Sequence, residues 1–278
     1  MISAYLHRKF SEISEDLLTS VVFSRLRYLD HKDILIPFLK EAYLYDLKRT
    51  RLDEYLYELS IDLLLYQDVI YYFWPKHNVL GEPDLILIFT NHLYNKDDFL
   101  LLIEIKYKSG KSGTGENDQL MRYYHTVNER INEFDNICIS NFNGITGPMI
   151  YLTELTAYSE IEASKDELLK EVKKVNQAIF HLEWKKLHSI LKKELYTNKD
   201  SQFLIIKDLI NFLAALNLIE YDGITLPDRE LLNIVSKNYN IFYKEDGYII
   251  NNKYFNELPQ LSNYDAKEYY FFRGVLND

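Results

Sequence analysis

Gly81-Glu82-Pro83-Asp84 leads into the apolar run Leu85–Phe89, and after a polar spacer comes Leu100-Leu101-Leu102-Ile103-Glu104-Ile105-Lys106. The second run has the composition of a strand buried on both faces, where a charged side chain is costly unless paired, hydrogen-bonded or bound to a metal. Glu104 and Lys106 nevertheless sit there. A period of two sends both side chains off the same face, about 7 Å apart along the strand. Two carboxylates beside an ammonium are what metal-assisted phosphodiester cleavage needs, because a cation must neutralise the phosphoryl oxygens and lower the pKa of an attacking water. Mg²⁺, or Mn²⁺ in its place, suits that task and prefers carboxylate and carbonyl oxygens while keeping several waters. Asp84 and Glu104 supply two such ligands, and the Ile105 carbonyl lies close enough to be a third. Lys106 would orient or deprotonate the water, or steady the pentavalent phosphorus. A role as base requires a lowered pKa, for which burial is a known route.

These residues need a scaffold, and the chain offers helices around a few strands. Ser14 followed by Glu15, Asp16 and the stripe Leu18, Val22, Leu26, Leu29 predicts a capped helix over 14–29. Ile34, Phe38, Ala42 and Tyr45 predict a second helix with Pro37 in its first turn, and a third covers 51–66. Residues 69–74 read as a strand, being β-branched and aromatic. The strands at 85–89 and 99–106 are joined by too few residues for a crossover helix, so they are expected to be antiparallel neighbours. Residues 107–117 hold three of the nine glycines and read as a mobile loop. Helix follows from Asp118, then a strand at 149–152, a helix at 165–178, a strand at 179–184 and a helix at 185–195. The polar segment 197–201 is the clearest internal boundary, dividing a main domain, 1–196, from an accessory region, 197–278. That region begins with an apolar helix at 203–218 and carries a hairpin signal, Glu245-Asp246-Gly247, between residues 241–244 and 248–250. The fold class expected is α/β, a central mixed sheet with helices on its faces and a mostly helical C-terminal appendage.

The bulk composition narrows the field. At 278 residues with a single cysteine, Cys138, the chain can form neither an internal disulfide nor a multi-cysteine zinc site, which fits a reducing compartment and a cytoplasmic location. No secretory leader and no 18-residue apolar run is present, so no membrane association is expected. A formal charge of −10 opposes loose adhesion to nucleic acid over the whole surface. A basic groove must be local, and residues 165–193, with eight lysines against four acids, are the best stripe for it. A solvated helix face reads the same way.

Glu82-Pro83-Asp84 … Glu104-Ile105-Lys106 resembles the signature of the PD-(D/E)XK nuclease superfamily, the site of restriction-endonuclease-like folds. Downstream, Gln119-Leu120-Met121-Arg122-Tyr123 matches a Gln-x-x-x-Tyr element similar to that of RecB-type members. The resemblance spans residues 10–190 and implies a restriction-endonuclease-like core with Asp84 and Glu104 on the metal and Lys106 catalytic. It also implies Gln119 in the catalytic set, Tyr123 contacting DNA or ordering the site, and an acidic residue from an N-terminal helix completing the metal environment. Glu15 is the natural match for the last role, with Glu12, Glu41, Glu54 and Glu58 as rivals. Lys108 and Lys111 belong to the loop beside the site and are candidates for phosphate contact.

Gly110-Lys111-Ser112 resembles the end of a nucleotide-binding loop, yet the position of that motif's first glycine is Ile105, inside the strand. The seven histidines show no zinc-ligand spacing, and Cys138 lacks a nucleophile signature. The resulting expectation is a Mg²⁺-dependent DNA nuclease of the restriction, repair or antiviral-defence kind. An acidic chain with an extra C-terminal segment further suggests that a partner protein or a second subunit of a homodimer helps engage DNA. The alternatives are a non-catalytic DNA- or protein-binding module that keeps the fold, and a nuclease directed at RNA.

Overall fold

The computed structural model describes residues 13–78, 81–91, 97–113, 117–171, 179–197, 202–220, 241–244 and 247–250. Glu12, residues 172–178 of the helix expected at 165–178, most of the boundary segment and the turn at 245–246 lie outside these. The chain divides into two compact units, residues 1–221 and 222–278.

The first unit is built on a five-stranded sheet in the order β1 (Asp68–Phe73), β2 (Leu85–Thr90), β3 (Phe99–Ile105), β4 (Ile145–Thr153), β5 (Ile179–Glu183). The first three strands are antiparallel neighbours, whereas β3, β4 and β5 run parallel. The sheet is therefore mixed. Parallel pairing demands crossovers, and these carry α4 (Gln119–Glu129) and α5 (Ile137–Ser140) between β3 and β4, and α6 (Tyr158–Glu171) between β4 and β5.

The central position of β3 explains its lack of alternation. Phe99, Leu101, Ile103 and Ile105 enter one core, shared with α1 (Glu15–Leu26), α2 (Ile36–Lys40), α3 (Leu52–Glu58), α7 (Trp184–Thr197) and α8 (Phe203–Ala215). Leu100 and Leu102 enter the opposite core with α4, α5 and α6. Helices thus flank both faces of an α/β sheet.

Local chemistry sets the helix ends. The Ser14 hydroxyl accepts from Leu17 N at 3.2 Å, and Glu15 and Asp16 occupy the first turn of α1, where the helix dipole favours acids. The second helix is shorter than expected: a π-turn, His31–Leu35, runs into α2, with Pro37 in its first turn. The chain then leaves the helix because Tyr43 pairs with the backbone of His181, extending the β5 edge through two hydrogen bonds of 2.9 and 2.8 Å. The third helix stops at Glu58, where Ser60 takes a φ of 61°, and only a 3₁₀ turn, Leu63–Leu65, continues it. Past the polar segment 197–201, α8 buries Ile206, Leu209, Phe212 and Leu213 in the first unit's core. In the second unit β6 (Ile241–Lys244) pairs with β7 (Gly247–Ile250), the antiparallel arms of the anticipated hairpin. Among the described residues no helix is long and apolar enough to cross a membrane.

Candidate active site

The antiparallel register sets Leu85 opposite Ile103, so the residues just beyond them, Asp84 and Glu104, arrive side by side at one end of the sheet. Asp84 is held there by its own strand partner: Ile105 N–H donates to its Oδ2 at 2.8 Å. The turn that delivers Asp84 is anchored from α4, because the Tyr123 hydroxyl donates to the Glu82 carbonyl at 3.0 Å. Gly81, at a φ of 97°, opens this turn in a conformation that a side chain would strain.

Glu104 is 1% exposed. Its Oε1 lies 2.7 Å from Lys106 Nζ, which confirms that the two side chains share a face. Apart from that ion pair, neither carboxylate oxygen receives a well-directed hydrogen bond among the described residues. Lys106 also reaches Glu15 Oε1 at 3.0 Å. Burial drives the electrostatics. It pushes Asp84 up from 3.8 to about 6, partly offset by the Ile105 N–H. The Glu104 carboxyl is also held well above the ordinary glutamate value, first by burial and then by the negative charge of Asp84. Burial alone would lower the Lys106 pKa, yet the carboxylates of Glu104, Glu15 and Asp84 outweigh it and hold Lys106 above the ordinary lysine range. With these neighbours the ammonium form of Lys106 is favoured.

Glu15 reaches the site from the first turn of α1, yet both its oxygens serve protein donors. Oε1 accepts from Lys106; Oε2 accepts from Tyr107 N–H at 3.0 Å and from the Ser109 hydroxyl at 2.8 Å. Of the loop expected to be mobile, residues 114–116 lie outside the described residues, and the described part makes hydrogen bonds at several points. Lys111 N–H donates to Glu160 Oε2 at 3.2 Å, and the Ser112 amide and hydroxyl both reach Gln119 Oε1 at 3.2 Å. Gly110 permits this close approach, since a Cβ there would meet Glu160 Oε1 at 2.7 Å.

The other expected site residues have structural partners. Gln119 donates weakly to the Tyr123 hydroxyl at 3.5 Å, and Tyr123 is buried, its phenol pushed up to about 12 by burial; the pair orders the site and presents no ring to a ligand. Lys111, a candidate for phosphate, is drawn inward to the Asp118 carboxylate and to Ser164 Oγ, 2.6 Å away. Lys108 stays exposed, its ammonium 5.0 Å from the Tyr107 ring centroid. In the lysine-rich stretch, Lys165, Lys185 and Lys186 are each paired, with Glu162, Glu183 and Glu220 at 3.0, 2.5 and 2.5 Å.

Two acids escaped the sequence reading. Asp118 caps α4 through Leu120 and Met121 N–H at 3.0 and 3.1 Å while binding Lys111, and its place before a helix was the only available signal. Glu160 accepts from Tyr151 OH at 2.5 Å; Tyr151 is the cross-strand neighbour of Glu104, a relation set by tertiary pairing alone.

Among the described residues no three His, Cys, Asp or Glu side chains are gathered as a metal cage. Mg²⁺ asks for less than that, since one or two carboxylates with retained waters satisfy it. Asp84 and Glu104 fit such a cation: they are adjacent, buried and short of donors, and with Glu15 they set three carboxylates against one ammonium. Comparison of the chain with protein-family models, with curated proteins and with solved structures returned no match.

Proposed function

We propose that this protein is a divalent-metal-dependent nuclease that hydrolyses DNA phosphodiesters, with a restriction-endonuclease-like core of PD-(D/E)XK type. The observation that carries this reading is Glu104, a carboxylate 1% exposed on a central strand between Asp84 and Lys106, which among the described residues has the Lys106 ion pair on Oε1 and no hydrogen bond to Oε2. A buried acid with one oxygen left unbonded is costly, and perturbed buried acids of this kind cluster at functional sites. Bound Mg²⁺ or Mn²⁺ would supply charge neutralisation at the phosphoryl oxygens and acidify a bound water.

The protein's own groups account for the rest. Asp84 and Glu104 would hold the cation, with Asp84 kept in place by the Ile105 N–H. The Lys106 ammonium, fixed between Glu104 and Glu15, is placed to stabilise negative charge developing on the phosphorane or to orient the water through a hydrogen bond. Gln119 and Tyr123 brace the turn that delivers Asp84. Such a role belongs with restriction, DNA processing or defence against invading DNA.

Cleavage of linear duplex, circular duplex and single-stranded DNA, with RNA as competitor, tests the reading in Mg²⁺ and Mn²⁺. Wild-type protein is expected to cut DNA only with the metal, whereas Asp84→Ala and Lys106→Ala lose at least about a hundredfold in rate. Equal cleavage by all three would sink the assignment, and preferential cutting of RNA would change the substrate.

A further inference from the structure

Resting on the nuclease reading, we infer that Glu15 is a positioning residue that fixes Lys106 and the turn after β3, and that it is not a ligand of the metal. A carboxylate ligand must offer an oxygen to the cation. Both Glu15 oxygens are engaged: Oε1 by Lys106 Nζ at 3.0 Å, Oε2 by Tyr107 N–H at 3.0 Å and Ser109 Oγ at 2.8 Å. Turning Oε2 toward a metal would break its hydrogen bonds from the Tyr107 N–H and the Ser109 hydroxyl, and turning Oε1 would break its ion pair with Lys106. Glu104 contrasts with it: Lys106 Nζ stands 2.7 Å from its Oε1, but its Oε2 receives no hydrogen bond among the described residues and remains open to a cation.

Lys106 has two counter-ions, Glu104 at 2.7 Å and Glu15 at 3.0 Å. Once the negative charge of Glu104 is committed to a cation, Glu15 remains as the partner that holds the ammonium in register. Three helices share the work of fixing the segment that Lys106 opens. Glu15 from α1 grips residues 106–109, Glu160 from α6 takes the Lys111 amide, and Gln119 from α4 takes Ser112. Ser14 caps the helix one residue before Glu15, so the cap and the grip are set together.

The experiment pairs Mn²⁺ binding by calorimetry with steady-state DNA cleavage, for wild type, Glu15→Gln, Glu104→Gln and Ser109→Ala. Glu15→Gln is expected to bind Mn²⁺ within about twofold of wild type while kcat falls about tenfold or more at little-changed KM. Ser109→Ala, which removes one Glu15 partner at the surface, should show the same pattern at smaller amplitude, and Glu104→Gln should lose Mn²⁺ binding. Far-UV circular dichroism checks folding; should Glu15→Gln be unfolded, Ser109→Ala decides alone, and unchanged kcat in it overturns the inference. A loss of Mn²⁺ affinity in folded Glu15→Gln matching that in Glu104→Gln makes Glu15 a ligand and also overturns it. Wild-type protein that binds no Mn²⁺ overturns the nuclease reading itself, which separates the two failures.

Discussion

Glu104 and Asp84 are charged groups kept where water cannot solvate them, and their protonation is tied to folding. Asp84 is raised from 3.8 to about 6, chiefly by burial. A folded-state pKa above the unfolded one means that the folded protein holds the proton more tightly. The ionised carboxylate therefore detracts from stability above about pH 6, and the cost fades as pH falls toward about pH 4. At about 1.4 kcal/mol per pH unit the effect is about 3 kcal/mol at most. Asp84→Asn should thus stabilise the metal-free protein by about 1–3 kcal/mol near pH 8 and by far less near pH 4.5, measured by urea unfolding. The same gain at both pH values would show that burial of the charge is not the cause. Glu104 stood out in the sequence for the same reason that it is costly, since charge inside an apolar strand breaks the burial rule, and Asp84 and Lys106 stood out at the ends of such runs. Asp118 and Glu160 were not, because an acid before or within a helix is ordinary and their partners Lys111, Ser164 and Tyr151 come from other elements.

At the scale of elements, the loop after β3 shows how far composition can mislead. Glycine, serine and lysine between 107 and 117 give no sign of tertiary partners, yet side chains of α1, α4 and α6 bond Tyr107, Lys111 and Ser112. Strands and their antiparallel pairing were readable from apolar runs and spacer length. Helix ends were not, since the breaks at Ser60 and Tyr43 follow from a left-handed residue and from pairing with β5. The Lys111–Asp118 ion pair is buried on both sides, with side chains 10% and 1% exposed. Removing one partner of a buried pair strands the other charge and costs about 3–5 kcal/mol. Lys111→Met is therefore expected to destabilise by about that much in urea unfolding, and the double substitution with Asp118→Asn by clearly less than the sum of the singles. Additive losses would mean that the pair does not fasten the loop.

Across the whole molecule, the charge of −10 opposes a broad basic surface, and the pairing of Lys165, Lys185 and Lys186 with acids weakens the lysine-rich stretch as a phosphate stripe. On the nuclease reading proposed above, DNA would have to meet a local site near the end of β3. The first unit, residues 1–221, closes its own two cores, one on each face of the sheet, and α8 is part of one of them. Residues 1–221 should accordingly fold alone, with cooperative denaturant unfolding and Mn²⁺ affinity within about twofold of the full chain. A fragment that unfolds without cooperativity would show that residues 222–278 complete its core. The division between the units could not be read from the polar segment 197–201, because the burial of α8 is decided by packing on α7.

Everything proposed here depends on one physical claim, that Asp84 and Glu104 together hold a divalent cation. Anomalous diffraction from crystals soaked in Mn²⁺ near neutral pH tests it directly. A peak about 2.1 Å from oxygens of both carboxylates is expected, absent in Glu104→Gln crystals. A peak held without Asp84 and Glu104, or none at saturating Mn²⁺, would contradict it.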